Sequence, residues 1–406
     1  MNGFDLSEAS DIRLGSNTIN AIYYGSTLLW PLTPRDYSKE YLTINALRDS
    51  TVVFWKYSDN ISRTIQYSKN KHTWNTISFG NFSDKDIPEA YKVSLLAGEK
   101  LYLKGNNSAY CTNNGDNCSI NINEGLANIY GNIMSLIYGD NFYGQTVLTE
   151  SYSFSNLFKR SPYTNQYIKD ASNLILPATT LAEGCYSYMF GGCKSLTSAP
   201  ELPATTLAEG CYSYMFWYCG LLKAPDLPAT TLKYRCYEGM FGGCTSLISP
   251  PELPATTLSR FCYASMFENC KSLTSAPELS ATTLDIYCYA SMFSGCTSLT
   301  SAPELPATTL AEGCYSYMFK SCTSLTSAPE LPATTLADRC YSSMFESCQS
   351  LSYIKCLATD IHALNSLTYW LKGVASTGTF VKNPNMSNWP TGTDGIPSGW
   401  TVQDAS

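Results

Sequence analysis

Between residue 37 and about residue 150, apolar and polar positions alternate in short runs, as in YLTINAL, STVVFWKY, RTIQYS and KVSLLAGEKLYLKG. A period of two puts every second side chain on one face of a strand, and turn residues break the runs at short intervals. This pattern predicts an antiparallel β-sandwich over 37–150. Upstream, residues 1–36 contain DIRLGSNTINAIYYGSTLLWPL, in which Gly15-Ser16 and Gly25-Ser26 separate strand-like runs. So short a segment encloses no core of its own and is expected to dock elsewhere.

Beyond residue 150 the period changes. The string CYxxMFxxC occurs seven times, starting at Cys185, Cys211, Cys236, Cys262, Cys288, Cys314 and Cys340, with steps of 26, 25, 26, 26, 26 and 26 residues. A fixed period of this size predicts a solenoid, in which each coil covers its apolar face with the next copy. The apolar positions of one unit, Leu196, Ala199, Leu202, Leu207, Cys211, Met215, Phe216 and Cys219, are too irregular for one long helix. They predict a short strand near SLTSAPEL, a proline-led turn and a helical turn at CYSYMF. At a strand spacing of about 4.8 Å, seven coils extend roughly 30 Å.

Both ends of the array need covers, because an open coil exposes apolar surface. YSFSNLFKRS reads as a worn first half-repeat, with Phe158 in the place of the cassette Phe. After Cys348, Asp360 is placed as an N-cap, Leu364, Leu367 and Leu371 fall on one helical face, and Gly373 follows as a stop, which predicts a capping helix. The organisation read from the chain is mixed α+β: a docking segment (1–36), a β-sandwich (37–150), a solenoid with its amino-terminal cap (151–356) and a carboxy-terminal capping region (357–406).

The repeat text MFxGCTSLTSAPELPATTL resembles the BspA-like, or Treponema-type, leucine-rich repeat over about residues 174–356. APEL stands where that family commonly has an isoleucine-rich strand, and Met precedes the Phe in place of Ala. The amino-terminal I-x-LGS…IYYGSTLLWP resembles a segment of gut bacteriophage virion appendage proteins, and GIPSGWTVQDA resembles an ending shared by such repeat proteins in gut bacteria and their phages. YSKNKHTW, Tyr67 to Trp74, resembles a degenerate Asp-box, with Asn70 and His72 where Asp and Gly are expected.

These resemblances imply a non-enzymatic structural and adhesion protein, a virion fibre, collar or tail component. Residues 1–36 would join other virion structural proteins, the repeats would face a host surface glycan or protein, and a homo-oligomer is open. A bacterial cell-surface adhesin is the alternative, and a glycan-active enzyme a more distant one that rests on the Asp-box alone.

Charge narrows the partners. The formal charge is −7 and Lys and Arg form no cluster, so nucleic acid is a poor partner. No run of about 18 apolar residues exists to span a bilayer. The start, MNGFDLSEASDIRLGS, is polar and acidic where an export signal is basic and then apolar, so assembly in the host cytoplasm is expected.

Seventeen cysteines invite a metal or disulfide reading, yet the cassette pair is eight residues apart with no histidine beside it. The second-cysteine ladder, Cys193, Cys219, Cys244, Cys270, Cys296, Cys322 and Cys348, is read as small apolar filler whose S–H groups bond loop carbonyls. No metal and no cofactor is expected. His72 and His362 lie far apart, and the cassette Glu of APEL, as in Glu201 and Glu252, repeats as an equivalent ladder, the opposite of the unlike pair that acid–base catalysis needs. The thirty tyrosines suit contact with neutral partners, although the first Tyr of each cassette is read as packing.

One cassette is short, and in it Trp217 and Tyr218 replace the small pair Gly191-Gly192 of the preceding copy. Two aromatics in the space of two glycines are expected to project as a contact surface, or else to fill the gap that the deletion leaves.

Overall fold

A computed structural model describes residues 36–57, 63–79, 88–111, 117–160 and 166–406, together with four short strands before them, β1 (Arg13–Leu14), β2 (Asn17–Thr18), β3 (Ile22–Tyr24) and β4 (Thr27–Trp30). These four pair as two antiparallel hairpins, β1 with β2 and β3 with β4. Otherwise the expected docking segment 1–36 lies outside the described residues.

The alternating stretch forms β5 (Leu42–Ala46), β6 (Ser50–Tyr57), β7 (Arg63–Ser68), β8 (Asn75–Phe79), β9 (Lys92–Leu95), β10 (Lys100–Gly105), β11 (Asn117–Glu124) and β12 (Ala127–Asn132). One sheet has the order β12-β5-β10-β7-β8, and a second places β6 between β11 and β9, antiparallel throughout. Their inward residues, Leu42, Ile44, Leu101 and Leu103 from one and Val52, Phe54, Ile120 and Ile122 from the other, join one core. The Asp-box-like loop is the β7–β8 turn. Asn70 Oδ1 accepts the N–H groups of His72 and Thr73, both at 2.9 Å, which holds Lys71 at φ 64°. Here the resemblance marks a folding element.

The solenoid begins as an extension of this domain. On β12, β13 (Ile168–Asp170) and β14 (Leu174–Ile175) add in parallel, and the shared core runs unbroken from Leu42 to Trp400. The first sheet thereby leads into the repeats, and YSFSNLFK lies on the first coil: Phe154 and Phe158 donate their N–H groups to Cys185 and Met189, and the rings of Phe158 and Phe190 stack at 5.4 Å.

The cassette contains no helical turn of the expected kind. Instead, N–H groups alternate between two destinations. Ser187, Met189, Gly191 and Cys193 bond back to the carbonyl three residues earlier, while Tyr186, Tyr188, Phe190 and Gly192 donate to Cys211, Ser213, Met215 and Trp217 of the next coil at 2.7–2.9 Å. Every fourth residue is left-handed: the one before the first cysteine, the third after it and the seventh after it, at φ between 51° and 80° in all seven copies. An α-helix would spend all these donors internally. The observed turns leave half of them to join coil to coil.

The expected strand at SLTSAPEL is also reduced. Between residues 176 and 352 parallel pairing survives only as isolated bridges, such as Thr180–Thr206, Lys223–Ser249 and Thr257–Thr283. Proline supplies the reason, since Pro200 and Pro203 lack the N–H that a ladder needs. Where the text loses proline, continuous parallel strands appear: β15 (Tyr353–Cys356), β16 (Gly378–Lys382) and β17 (Trp400–Asp404) form a three-stranded sheet.

The predicted capping helix after Asp360 is absent too. Residues 363–373 repeat the cassette turn without its cysteines: Asn365, Tyr369 and Gly373 are left-handed, and Tyr341, Ser343 and Phe345 donate to Ser366, Thr368 and Trp370. Leu367 and Leu371 are buried, but Leu364 is 59% exposed, because a turn with one left-handed residue in four does not align positions spaced three and four apart as a helix does. Regular structure is mostly strand, and the single α-helix among the described residues, Ser135–Tyr138, has 4 residues.

Candidate functional site

The interior of the repeats is chemically quiet. Both cysteine rows are buried, and their fourteen thiols form no disulfide. Each second cysteine donates its S–H to the carbonyl of the preceding coil's Phe, from Cys193 to Phe158 (3.2 Å) and Cys219 to Phe190 (3.0 Å) through Cys348 to Phe319 (2.9 Å). Cys244, Cys270, Cys296 and Cys322 bond Phe216, Phe241, Phe267 and Phe293 in the same way. Burial pushes the Cys236 and Cys348 thiols up to about 12, away from ionisation. A protonated thiol is a weak nucleophile and a poor metal ligand. No group of metal-ligating side chains occurs among the described residues.

The first Tyr of each cassette is equally buried. Tyr186, Tyr212, Tyr237 and their equivalents stack ring on ring at 5.6–6.2 Å, and burial raises their phenols far above the ordinary range. His72 sits on an exposed hairpin, and His362 is 91% exposed, its Nδ1 3.0 Å from Asp360. Glu201, Glu252, Glu278, Glu304 and Glu330 are exposed equivalents, as their spacing in the chain requires.

The second row of aromatics differs. Tyr188 and Tyr214 occupy left-handed positions on the turn face, where their rings stack at 4.7 Å and 8°. Lys159 Nζ lies 4.4 Å from the outer face of Tyr188, and the Tyr214 ring lies over Gly239, where an added Cβ would come within 2.2 Å of it. The left-handed backbone thus aims each ring along the solenoid axis, onto the coil that follows.

Trp217 stands across this stack, edge-on to Tyr188 and Tyr214 at 6.3 and 6.4 Å. Tyr218 is itself left-handed and lies over Gly243. They are 38% and 42% exposed. The deletion in this cassette is absorbed elsewhere, at Gly220, where a Cβ would approach the Lys194 carbonyl to 2.2 Å. The ring partners of Trp217 and Tyr218 belong to the turn face, so the structure places the pair on the surface, resting on aromatic and glycine neighbours.

Beside Trp217 opens a hollow of about 450 Å³ bounded by Tyr152, Tyr188, Tyr214, Tyr234 and the charged groups Lys159, Glu183, Glu209, Arg235 and Glu238. Tyr152 donates to Glu183 at 2.8 Å, and burial with this bond raises its phenol to about 12. Arg235 pairs with Glu238 at 3.3 Å. Burial raises the Glu238 carboxyl and outweighs Arg235, and burial lowers the Lys159 ammonium. The arrangement presents aromatic rings and hydrogen-bonding charged groups around one hollow.

Of the residues singled out in the sequence, Trp217 and Tyr218 lie at this face and the cysteine ladder lies behind it. Tyr188, Tyr214, Gly210 and Glu209 were not singled out. For Gly210 the signal is a column in the repeat: the residue before the first cysteine reads Gly184, Gly210, Arg235, Phe261, Tyr287, Gly313 and Arg339, a variable position in an otherwise copied text.

A family model described as the BspA type leucine rich repeat region matches residues 163–291 and 262–369 with 6 copies, just over half of the chain. No curated protein and no solved structure matches. No helix among the described residues is long and apolar enough to cross a membrane.

Proposed function

The chain belongs to the BspA-type leucine-rich repeat family, and from that premise we propose that it is a non-enzymatic adhesion protein whose contact surface is the turn face of the repeats. The observation that carries this reading is the part-exposed aromatic cluster of Tyr188, Tyr214, Trp217 and Tyr218, held in fixed register by coil-to-coil hydrogen bonds. Aromatic side chains with few rotatable bonds are favoured at binding hot spots. Support for a role without catalysis comes from the buried protonated thiols and the two histidines on exposed turns.

Within that class the reading is a bacteriophage virion appendage, a fibre, collar or tail component assembled in the host cytoplasm. It joins other virion proteins through residues 1–36 and presents the repeats to a host glycan or protein. The resemblance of the amino-terminal segment to virion appendage proteins supports it, while the carboxy-terminal ending resembles one shared by repeat proteins of gut bacteria and their phages. The same face would serve a bacterial cell-surface adhesin, which shares the repeat family. Mass spectrometry of purified virions separates the two: the chain at structural stoichiometry supports the appendage, and its absence from particles overturns it.

A further inference from the structure

The residue before the first cysteine of each cassette is left-handed, and a neighbouring ring covers it wherever it is glycine, with one exception. Tyr152 lies over Gly184, where an added Cβ would come within 2.3 Å of the ring, and Tyr287 lies over Gly313 at 2.2 Å. Gly184 has no side chain to lay on the next coil, so the place above Gly210 is open, and an added Cβ there meets only Ser213 Oγ at 3.7 Å. Two successive glycines have left one ring out of the row. The vacancy lies in the hollow beside Trp217.

Its surroundings say what kind of ring fits. Tyr152, Tyr188, Tyr214 and Trp217 bound it with aromatic surface, while the exposed Glu183 and Glu209 carboxylates stand at its rim as acceptors. Arg235 supplies donors but is held by Glu238, and Lys159 is engaged with the face of Tyr188. Three carboxylates against two committed cations disfavour an anionic guest. A flat saturated ring with apolar C–H faces and hydroxyl donors at its edge satisfies both kinds of wall.

We infer that the hollow over Gly210 is a subsite for one uncharged hexopyranose unit of a glycan, its ring completing the stack that Gly184 interrupts and its hydroxyls donating to Glu183 and Glu209. This rests on the contact reading above and gives it a location and a ligand class.

The test uses the full chain and ligand-observed saturation-transfer NMR with the methyl glycosides of glucose, galactose, mannose and N-acetylglucosamine, and with sialyllactose as an anionic comparison. At least one uncharged glycoside is expected to bind. Gly210→Asn fills the space with a residue that the eighth coil already carries left-handed in the same row, Asn365 at φ 54°. Glu209→Gln removes a rim charge. Each is expected to weaken binding at least about tenfold while the thermal midpoint stays within about 2 °C.

Binding that is unchanged in Gly210→Asn, binding of sialyllactose alone, or no binding by any of the five sugars would overturn the subsite. Adhesion of the chain to glycan-coated surfaces is scored separately. Adhesion that survives Gly210→Asn removes this subsite and leaves the contact function standing, whereas adhesion absent from the unaltered chain removes both.

Discussion

A tyrosine at a left-handed backbone position costs about 1–2 kcal/mol relative to its usual conformation, a cost that glycine escapes. Tyr218 bears that cost at φ 55° and recovers it by laying its ring over Gly243. The two effects nearly cancel, so Tyr218→Gly is expected to change the unfolding free energy by less than about 1 kcal/mol in denaturant titration. Phe216, two residues earlier, is fully buried between Phe190 and Phe241, and Phe216→Ala is expected to cost about 3–5 kcal/mol. Equal costs for the two would mean that the turn face is core.

Thiols add a pH dependence. Cys236, Cys288, Cys296, Cys340, Cys348 and Cys356 are raised by burial from an ordinary 9.0 to about 12. The folded state therefore holds protons that the unfolded chain releases. The stabilisation is complete below about pH 9 and is lost as the pH rises toward 12, at about 1.4 kcal/mol per pH unit for each thiol. With several such groups, thermal unfolding should be flat from pH 6 to 8.5 and collapse within about two units above 9. A midpoint that stays constant through pH 11 would contradict the burial of these six thiols.

At the scale of the coil, the deletion in the third copy of the turn, counting YSFSNLFK as the first, is closed by Gly220 against the backbone carbonyl of Lys194. A carbonyl is not a flexible side-chain end and cannot swing aside, so Gly220→Ala is expected to destabilise by about 2 kcal/mol or more, measured by chemical denaturation. A neutral result would show that the short coil has slack.

Much of the coil was legible in the chain: the fixed steps between CYxxMFxxC copies gave the repeat, and the burial of Met, Phe and both Cys followed from it. The turn geometry was not legible. A left-handed residue every fourth position leaves no periodicity in residue type, because Gly, Tyr, Arg, Phe, Ser and Asn all occupy it. The same blindness produced the helix expected after Asp360, where Leu364, Leu367 and Leu371 carry helical spacing but Asn365 and Tyr369 turn the backbone. The loss of strand at APEL could have been anticipated, since proline lacks the ladder donor whatever surrounds it. The hollow was hidden because its defining feature is a missing side chain, at Gly184, whose consequence falls one coil away.

Across the whole molecule, one core runs from the amino-terminal sheets through the repeats to the final parallel sheet, and neighbouring coils are joined by equivalent bonds. Equivalent joints make a coil removable. Deleting residues 262–287, one complete 26-residue period, should leave a folded chain with a shorter array, read by circular dichroism and a single cooperative unfolding transition. Aggregation on deletion would show that the coils are not interchangeable.

The claim that the turn face makes the contacts is tested most directly by the double variant Trp217→Gly, Tyr218→Gly, with binding to glycan-coated surfaces and stability measured on the same preparation. The account predicts binding reduced at least about tenfold with unfolding free energy lowered by no more than about 2 kcal/mol, since both side chains are more than a third exposed. Undiminished binding, or a loss of binding that only accompanies unfolding, would contradict it.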